Sequence, residues 1–207
     1  MVIISMPTTP EGHKVLQLAE EVAKVRDKSE YWTDITSLDR PSKENALNAL
    51  RDCDIAHFAC HGTADQEEPT KSALLLGRDV LEKLTLEDIM KMDFDSHENV
   101  PLAYLSACST AEIKVRNLVD ESIHLASAFQ LAGFMHVIGT LWAADDAAAV
   151  EIAGKFYEGL DLYERKLDQD ENGSVAYALH YAVLHYRNIS GNSLAVAKWA
   201  PFIHLGC

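Results

Sequence analysis

Positive charge is scarce in this chain: 18 Lys and Arg stand against 32 Asp and Glu, for a net charge of -14. Nucleic acid and anionic membranes select for clustered Lys and Arg, so neither is expected as a partner. A glycine-rich turn is also missing. The first apolar run, Val2 to Met6, is followed by Pro7-Thr-Thr-Pro10, which excludes the phosphate cradle of a dinucleotide site. The cysteines, Cys53, Cys60, Cys108 and Cys207, have neither zinc-ribbon nor C-x-x-C spacing and are expected as thiols in a reducing compartment. No basic region leads into an apolar leader with a small-residue cleavage site, so a cytoplasmic location is expected. The longest nearly uncharged stretch, Ser122 to Ala144, contains His124, Ser127, Gln130, Gly133, His136 and Gly139. It divides into a helix, a glycine stop and a strand rather than forming a membrane span. Repeats and low-complexity segments are lacking. At 207 residues, 48% hydrophobic and 24% charged, the chain reads as one soluble domain over 1–207, either complete or part of a longer protein.

What is present is organised around two short apolar runs. Ile55-Ala-His57-Phe-Ala-Cys60-His61-Gly62 stops at a histidine and a glycine, and Leu102-Ala-Tyr-Leu-Ser-Ala-Cys108 stops at a cysteine among small residues. Runs apolar on both faces that end in turn-permitting residues are expected as buried parallel strands. Each then carries a reactive side chain at its carboxyl end, the edge at which open α/β sheets bind ligands.

Around these runs, hydrophobic periodicity alternates between the two-residue and 3.6-residue patterns. Val15, Leu18, Ala19, Val22 and Val25 recur at helical spacing, with Glu20 and Glu21 expected on the solvent side. A short strand is expected within Tyr31 to Leu38, and Ser42 is the expected N-cap of a helix to Leu50. Ser72 to Leu76 and Asp79 to Leu81 look like a hairpin. Thr85 and Asp88 form the pattern of a capping box. Asp120 to Gly133 reads as a helix with acids at its start and a glycine stop. A strand over His136 to Trp142, helices over Asp145 to Leu160 and Ser174 to Arg187, and a last strand over Trp199 to Leu205 complete an α/β sandwich with a mostly parallel sheet.

Adjacent strands would bring the Cys108 thiol to the His61 imidazole, and a cysteine attacks a carbonyl carbon as its thiolate, which a neighbouring imidazole stabilises. The N–H groups of Cys108 and Gly62 are the candidates for an oxyanion hole. Asp145 and Asp146, after the strand ending at Trp142, either cap the next helix or form an acidic pocket for a basic substrate side chain. A zinc site from His57, Cys60 and His61 is disfavoured. On a strand, Cys60 points away from the two histidines, and four strand residues span roughly 13 Å. No cofactor and no metal is expected. His13, His97, His124, His180, His185 and His204 have no companion at an interpretable spacing and read as structural.

The segments His57-Phe-Ala-Cys-His-Gly62, Lys71-Ser-Ala-Leu-Leu-Leu76, Tyr104-Leu-Ser-Ala-Cys-Ser-Thr-Ala111, Asp120-Glu-Ser-Ile-His-Leu125, Ala128-Phe-Gln-Leu-Ala-Gly133, Gly139-Thr-Leu-Trp142 and Trp199-Ala-Pro-Phe-Ile-His-Leu-Gly206 run in order along nearly the whole chain. Together they resemble a CHAT domain, the caspase-like module often joined to tetratricopeptide repeats or nucleotide-binding sensor domains. The His-before-Cys order is similar to that of caspases, whose catalytic His lies about 50 residues upstream. The resemblance implies a caspase-haemoglobinase fold, a three-layer sandwich with a mostly parallel central sheet. It also implies a His61–Cys108 dyad that cleaves a protein or peptide substrate in a regulated defence or cell-death pathway, under a repeat or sensor partner. Relatives such as separase and gingipains use acidic pockets for Arg or Lys, which suits Asp145 or Asp146. The alternatives are a catalytically silent interaction module and an acyl hydrolase acting on a small molecule.

Overall fold

The computed structural model describes residues 1–13, 15–63, 65, 67–92, 102–106, 125–127, 129–142, 144–164, 171–191 and 196–206. Six strands form the central sheet: β1 (Val2–Ser5), β2 (Thr36–Asp39), β3 (Ile55–Ala59), β7 (Leu102–Leu105), β8 (His136–Thr140) and β9 (Phe202–Gly206). Their order is β2-β1-β3-β7-β8-β9, all parallel except β9, which runs antiparallel to β8. A smaller antiparallel sheet joins β4 (Gly62–Thr63), β5 (Ala73–Leu76) and β6 (Glu82–Thr85).

The period-two alternation of the strands divides the core between the two faces of the central sheet. Val2, Ile4, Ala56, Phe58, Ala103, Leu105 and Val137 belong to one hydrophobic cluster, and their neighbours Ile3, Ile55, Leu102, Tyr104 and Ile138 to the other. The first cluster is covered by helix α2 (Lys43–Leu50), helix α3 (Leu86–Met90), the small sheet and the helical residues 125–127 and 129–131. The second is covered by α1 (Ala19–Ser29), α4 (Asp146–Glu164) and α5 (Glu171–Ser190). A short helix, α6 (Val196–Trp199), precedes β9. Helices on both faces of one sheet make the three-layer sandwich, and burial on both sides is why its strands are apolar runs.

Local signals in the sequence act as read at several points. The Ser42 hydroxyl accepts the Asn45 N–H at the start of α2. Thr85 and Asp88 close a complete capping box on α3, and Asp88 also takes Lys43 Nζ at 2.9 Å. Thr85→Ala should therefore cost about 1 kcal/mol, read as a lower denaturant midpoint with an unchanged slope. The helical stretch before Gly133 stops there, with Phe134 N–H donating to Phe129 O.

Elsewhere tertiary packing moves the boundaries. Helix α1 begins at Ala19 rather than Val15, which is 54% exposed. Glu21, expected on the solvent side, is 3% exposed. The second strand starts only at Thr36. The partner of β5 is Glu82–Thr85, not Asp79 to Leu81, because the turn after β5 is longer than a tight hairpin. Gly77 lies in that turn at φ +97°, where a Cβ would stand 2.0 Å from the Val80 carbonyl oxygen.

At the far edge of the sheet, His136 Nδ1 and His204 Nε2 are 2.9 Å apart across β8 and β9. Burial pushes the His204 imidazole down to about 4, with His136 beside it lowering it further. An unfolded histidine titrates near 6.5, so between that value and about 4 the unfolded chain binds a proton that the folded chain does not. Stability is thus full above pH 6.5 and falls as pH drops toward 4, by on the order of 2 kcal/mol. Urea midpoints at pH 7 and pH 4.5 should show this loss, and His204→Gln should flatten it.

Candidate active site

The chain passes from β1 outward to β2, then back past β1 to β3 and on to β7 and β8. The reversal lies between β1 and β3, and in such sheets the crevice at the carboxyl ends of those strands is the place for a ligand. At this edge lie the segment after β1, the His61 end of β3, Ser106 at the end of β7 and the segment between β8 and α4.

His61 is the second residue after β3 and is 7% exposed. Its backbone carbonyl accepts the Leu75 N–H at 2.8 Å, which ties the strand end to the small sheet. That bond makes Gly62 and Leu74 a non-hydrogen-bonded antiparallel pair, so the N–H of Gly62 is directed away from β5. A Cβ on Gly62 would stand 3.0 Å from Leu125 Cδ2, so close packing against that side chain also favours glycine here.

Strand β7 lies beside β3 in parallel register, with His57 opposite Tyr104 and Phe58 opposite Leu105. The Ser106 N–H continues the ladder to Phe58 O at 3.0 Å. Cys108, the candidate nucleophile and second oxyanion donor, lies outside the described residues. Cys53 and Cys60 are both buried. Burial pushes the Cys53 thiol up to about 12, which holds it as the unreactive thiol.

Two features at this edge escape a reading of local pattern. His13, from the segment after β1, brings its ring to 5.5 Å from the His61 ring, tilted by 36°. Glu21, from α1, points into the sheet edge. The Ser106 hydroxyl donates to Glu21 Oε1, and His57 Nε2 stands 3.2 Å from that same oxygen but out of line for a hydrogen bond. His57 itself is fully buried, 3.1 Å from the Tyr157 hydroxyl and stacked on Tyr104. The signal available for Glu21 was its place beside Val22 and Val25 in α1, one helical step from the buried stripe. For His13 there was none.

Asp145 and Asp146 open α4. The Asp145 side chain accepts the Ala148 N–H at 3.1 Å and pairs with Lys198 Nζ on α6 at 2.9 Å. That lysine holds the Asp145 carboxyl below the usual carboxylate range, with helix N–H groups adding to the effect. Asp146 is exposed and lines a cleft that also contains Glu21 and Ser106. Trp142 Nε1 donates to Ala197 O, so the segment between β8 and α4 is fastened to α6 at two points.

Among the described residues no helix is long and apolar enough to cross a membrane. No curated protein matches the chain in sequence. Among solved structures it is similar to the Arg specific cysteine proteinase gingipain R, at 12% identity and a TM-score of 0.58, over 99% of this chain and 45% of that one. It is also similar to separase in the Saccharomyces cerevisiae separase–securin complex, at 15% identity and a TM-score of 0.54, over 99% of this chain and 12% of that one. The chain thus spans less than half the length of either protein, and the likeness is one of fold: a caspase-like α/β sandwich. The family model of the CHAT domain matches residues 5–207, and the chain belongs to that family.

Proposed function

We propose that this domain is a cysteine endopeptidase in which Cys108 is the nucleophile and His61 its base. The observation that carries the reading is the pairing of β3 with β7. Phe58 stands opposite Leu105, and His61 is the third residue after the one as Cys108 is the third after the other. Equal offsets from a paired position on adjacent parallel strands favour a meeting of the two side chains at the carboxyl edge.

In the proposed reaction His61 takes the Sγ proton and the Cys108 thiolate attacks the carbonyl carbon of the scissile peptide bond. The resulting oxyanion is held by the N–H groups of Gly62 and Cys108; the outward direction of the Gly62 N–H supports its part. Collapse expels the amine, which takes the proton from the His61 imidazolium. A water that gives its proton to His61 then attacks the thioester, and the carboxylic acid leaves as the proton returns to Sγ.

In this proposal the substrate is a protein or peptide, and membership of the family supports a role in a regulated defence or cell-death pathway in the cytoplasm, under a repeat or sensor partner. Asp146 contributes to an acidic pocket favouring a basic side chain before the cut, with Asp145 held back by Lys198. The test is labelling of the intact chain by a peptide electrophile. Labelling at Cys108 that is lost in His61→Ala supports the dyad. A Cys108 that reacts no faster than a free thiol assigns the fold to a silent interaction module.

A further inference from the structure

Glu21 breaks the pattern of its own helix. It is 3% exposed on α1, and a carboxylate withdrawn from water in this way is costly unless its partners offset the lost hydration. Those partners come from both strands that lead to the candidate dyad. The Ser106 hydroxyl, just past β7, donates to Glu21 Oε1, and His57 of β3 places Nε2 3.2 Å from the same oxygen. Ser106 stands two residues before Cys108 in the chain, and His57 four before His61. His57 is held in turn, with Nδ1 3.1 Å from the Tyr157 hydroxyl of α4 and its ring stacked on Tyr104. The seat of Glu21 is fixed as well. Lys24, one helical turn on, pairs with Glu151 of α4 and lies against Gly154, where a Cβ would stand 2.8 Å from Lys24 Cγ.

We infer that Glu21 is a positioning residue for the proposed reaction: through Ser106 it fixes the stretch of chain that leads into Cys108, and with His57 on the same oxygen it ties that stretch to the strand that leads into His61. The inference rests on the peptidase reading. Three observations carry it. One buried oxygen meets side chains from β3 and from the end of β7, so a shift of either strand disturbs the same group. The backbone ladder between the two strands reaches only as far as the Ser106 N–H on Phe58 O, and the Ser106 hydroxyl adds a side-chain anchor at that limit. The anchor itself is built on a helix locked to α4, which is how a rigid support holds a reacting group in place. An error of about 1 Å in the position of a reacting atom costs on the order of 100-fold in rate, so a support two residues away has a large lever on the chemistry.

Steady-state peptide cleavage and thermal melting of the intact chain test this. Ser106→Ala leaves both members of the dyad in place and should lower kcat by about 10- to 100-fold with KM within about twofold of wild type. Glu21→Ala should do the same, and the double variant should be no slower than either single one, because the two side chains act as a unit. Glu21→Gln is isosteric, keeps an acceptor for the Ser106 hydroxyl and should bring kcat back to within about threefold of wild type. Thr85→Ala, which loosens α3 on the opposite face of the sheet, is the control: it should lower the melting temperature and leave kcat unchanged. Should Glu21→Ala fail to fold, Ser106→Ala and Glu21→Gln still decide the matter. If the variants at Ser106 and Glu21 behave like Thr85→Ala, losing melting temperature alone, Glu21 is structural and the inference is overturned. A raised KM with kcat intact overturns it too, and so does a Glu21→Gln no faster than Ser106→Ala. In each of these results wild type still cuts and is labelled at Cys108, so the peptidase reading stands. If wild type neither cuts nor is labelled, that reading falls and the inference falls with it.

Discussion

If the proposed dyad is correct, exchange of His61 for alanine should lower kcat/KM on a cleavable peptide by about 10²- to 10⁴-fold, the range expected for loss of a general base, and Cys108→Ala should take cleavage to background. A change in rate alone would not separate a lost base from a distorted site, because His61 is buried and its carbonyl anchors β5. The pH dependence of labelling makes the separation. With the imidazole present, the proposed dyad should keep the thiolate at neutral pH and labelling of Cys108 should stay fast. Without it, labelling follows an ordinary thiol titrating near 8.5 and slows by at least about tenfold at pH 7. The carbonyl that holds β5 is backbone and survives the substitution, so the melting temperature should move little. Equal labelling rates in wild type and His61→Ala at pH 7 would remove His61 as the partner of the sulfur.

The largest expected effect on stability is at the position that pairs β3 with β7. Phe58 is 1% exposed, opposite Leu105 in the sheet and edge-on to Phe129 at 5.4 Å between ring centres. Phe58→Ala removes a buried ring and leaves a cavity between the sheet and the helical residues around Phe129, costing about 3–5 kcal/mol. A domain of this size is stable by roughly 5–15 kcal/mol, so the variant loses a large share of its margin. Its melting temperature should fall by on the order of 10 °C. Because the same strand carries His61 at its end, labelling of Cys108 should slow together with the loss of stability. A melting temperature within about 2 °C of wild type would show that the cluster tolerates the cavity and that strand pairing does not depend on this ring.

Much of the fold was legible from local pattern. The apolar runs at Ile55 and Leu102 became central parallel strands, and Ser42 and the Thr85–Asp88 box began helices where their chemistry requires a cap. Boundaries were less legible where tertiary packing intervenes. Asp79 to Leu81 resembles a strand by composition, yet the turn through Gly77 displaces the pairing to Glu82–Thr85. Glu21 resembles a solvent residue because its neighbour Glu20 is one, and only the approach of α1 to the end of β7 turns it inward against Ser106 and His57. Asp145 carried two meanings in the sequence. Lys198, distant in the chain, gives its carboxylate a specific partner.

By itself the sequence determined the class of fold, the alternation of strands and helices, and that His61 lies just past the end of a buried strand, because burial periodicity and capping act over a few neighbouring residues. Only the tertiary structure decided which distant groups share the carboxyl edge: His13 against His61, Glu21 with Ser106, the Gly62 N–H turned outward, and Asp145 with Lys198. Strand order and the seating of helices on a twisted sheet set those meetings, and both are properties of the whole core that no short stretch of chain encodes.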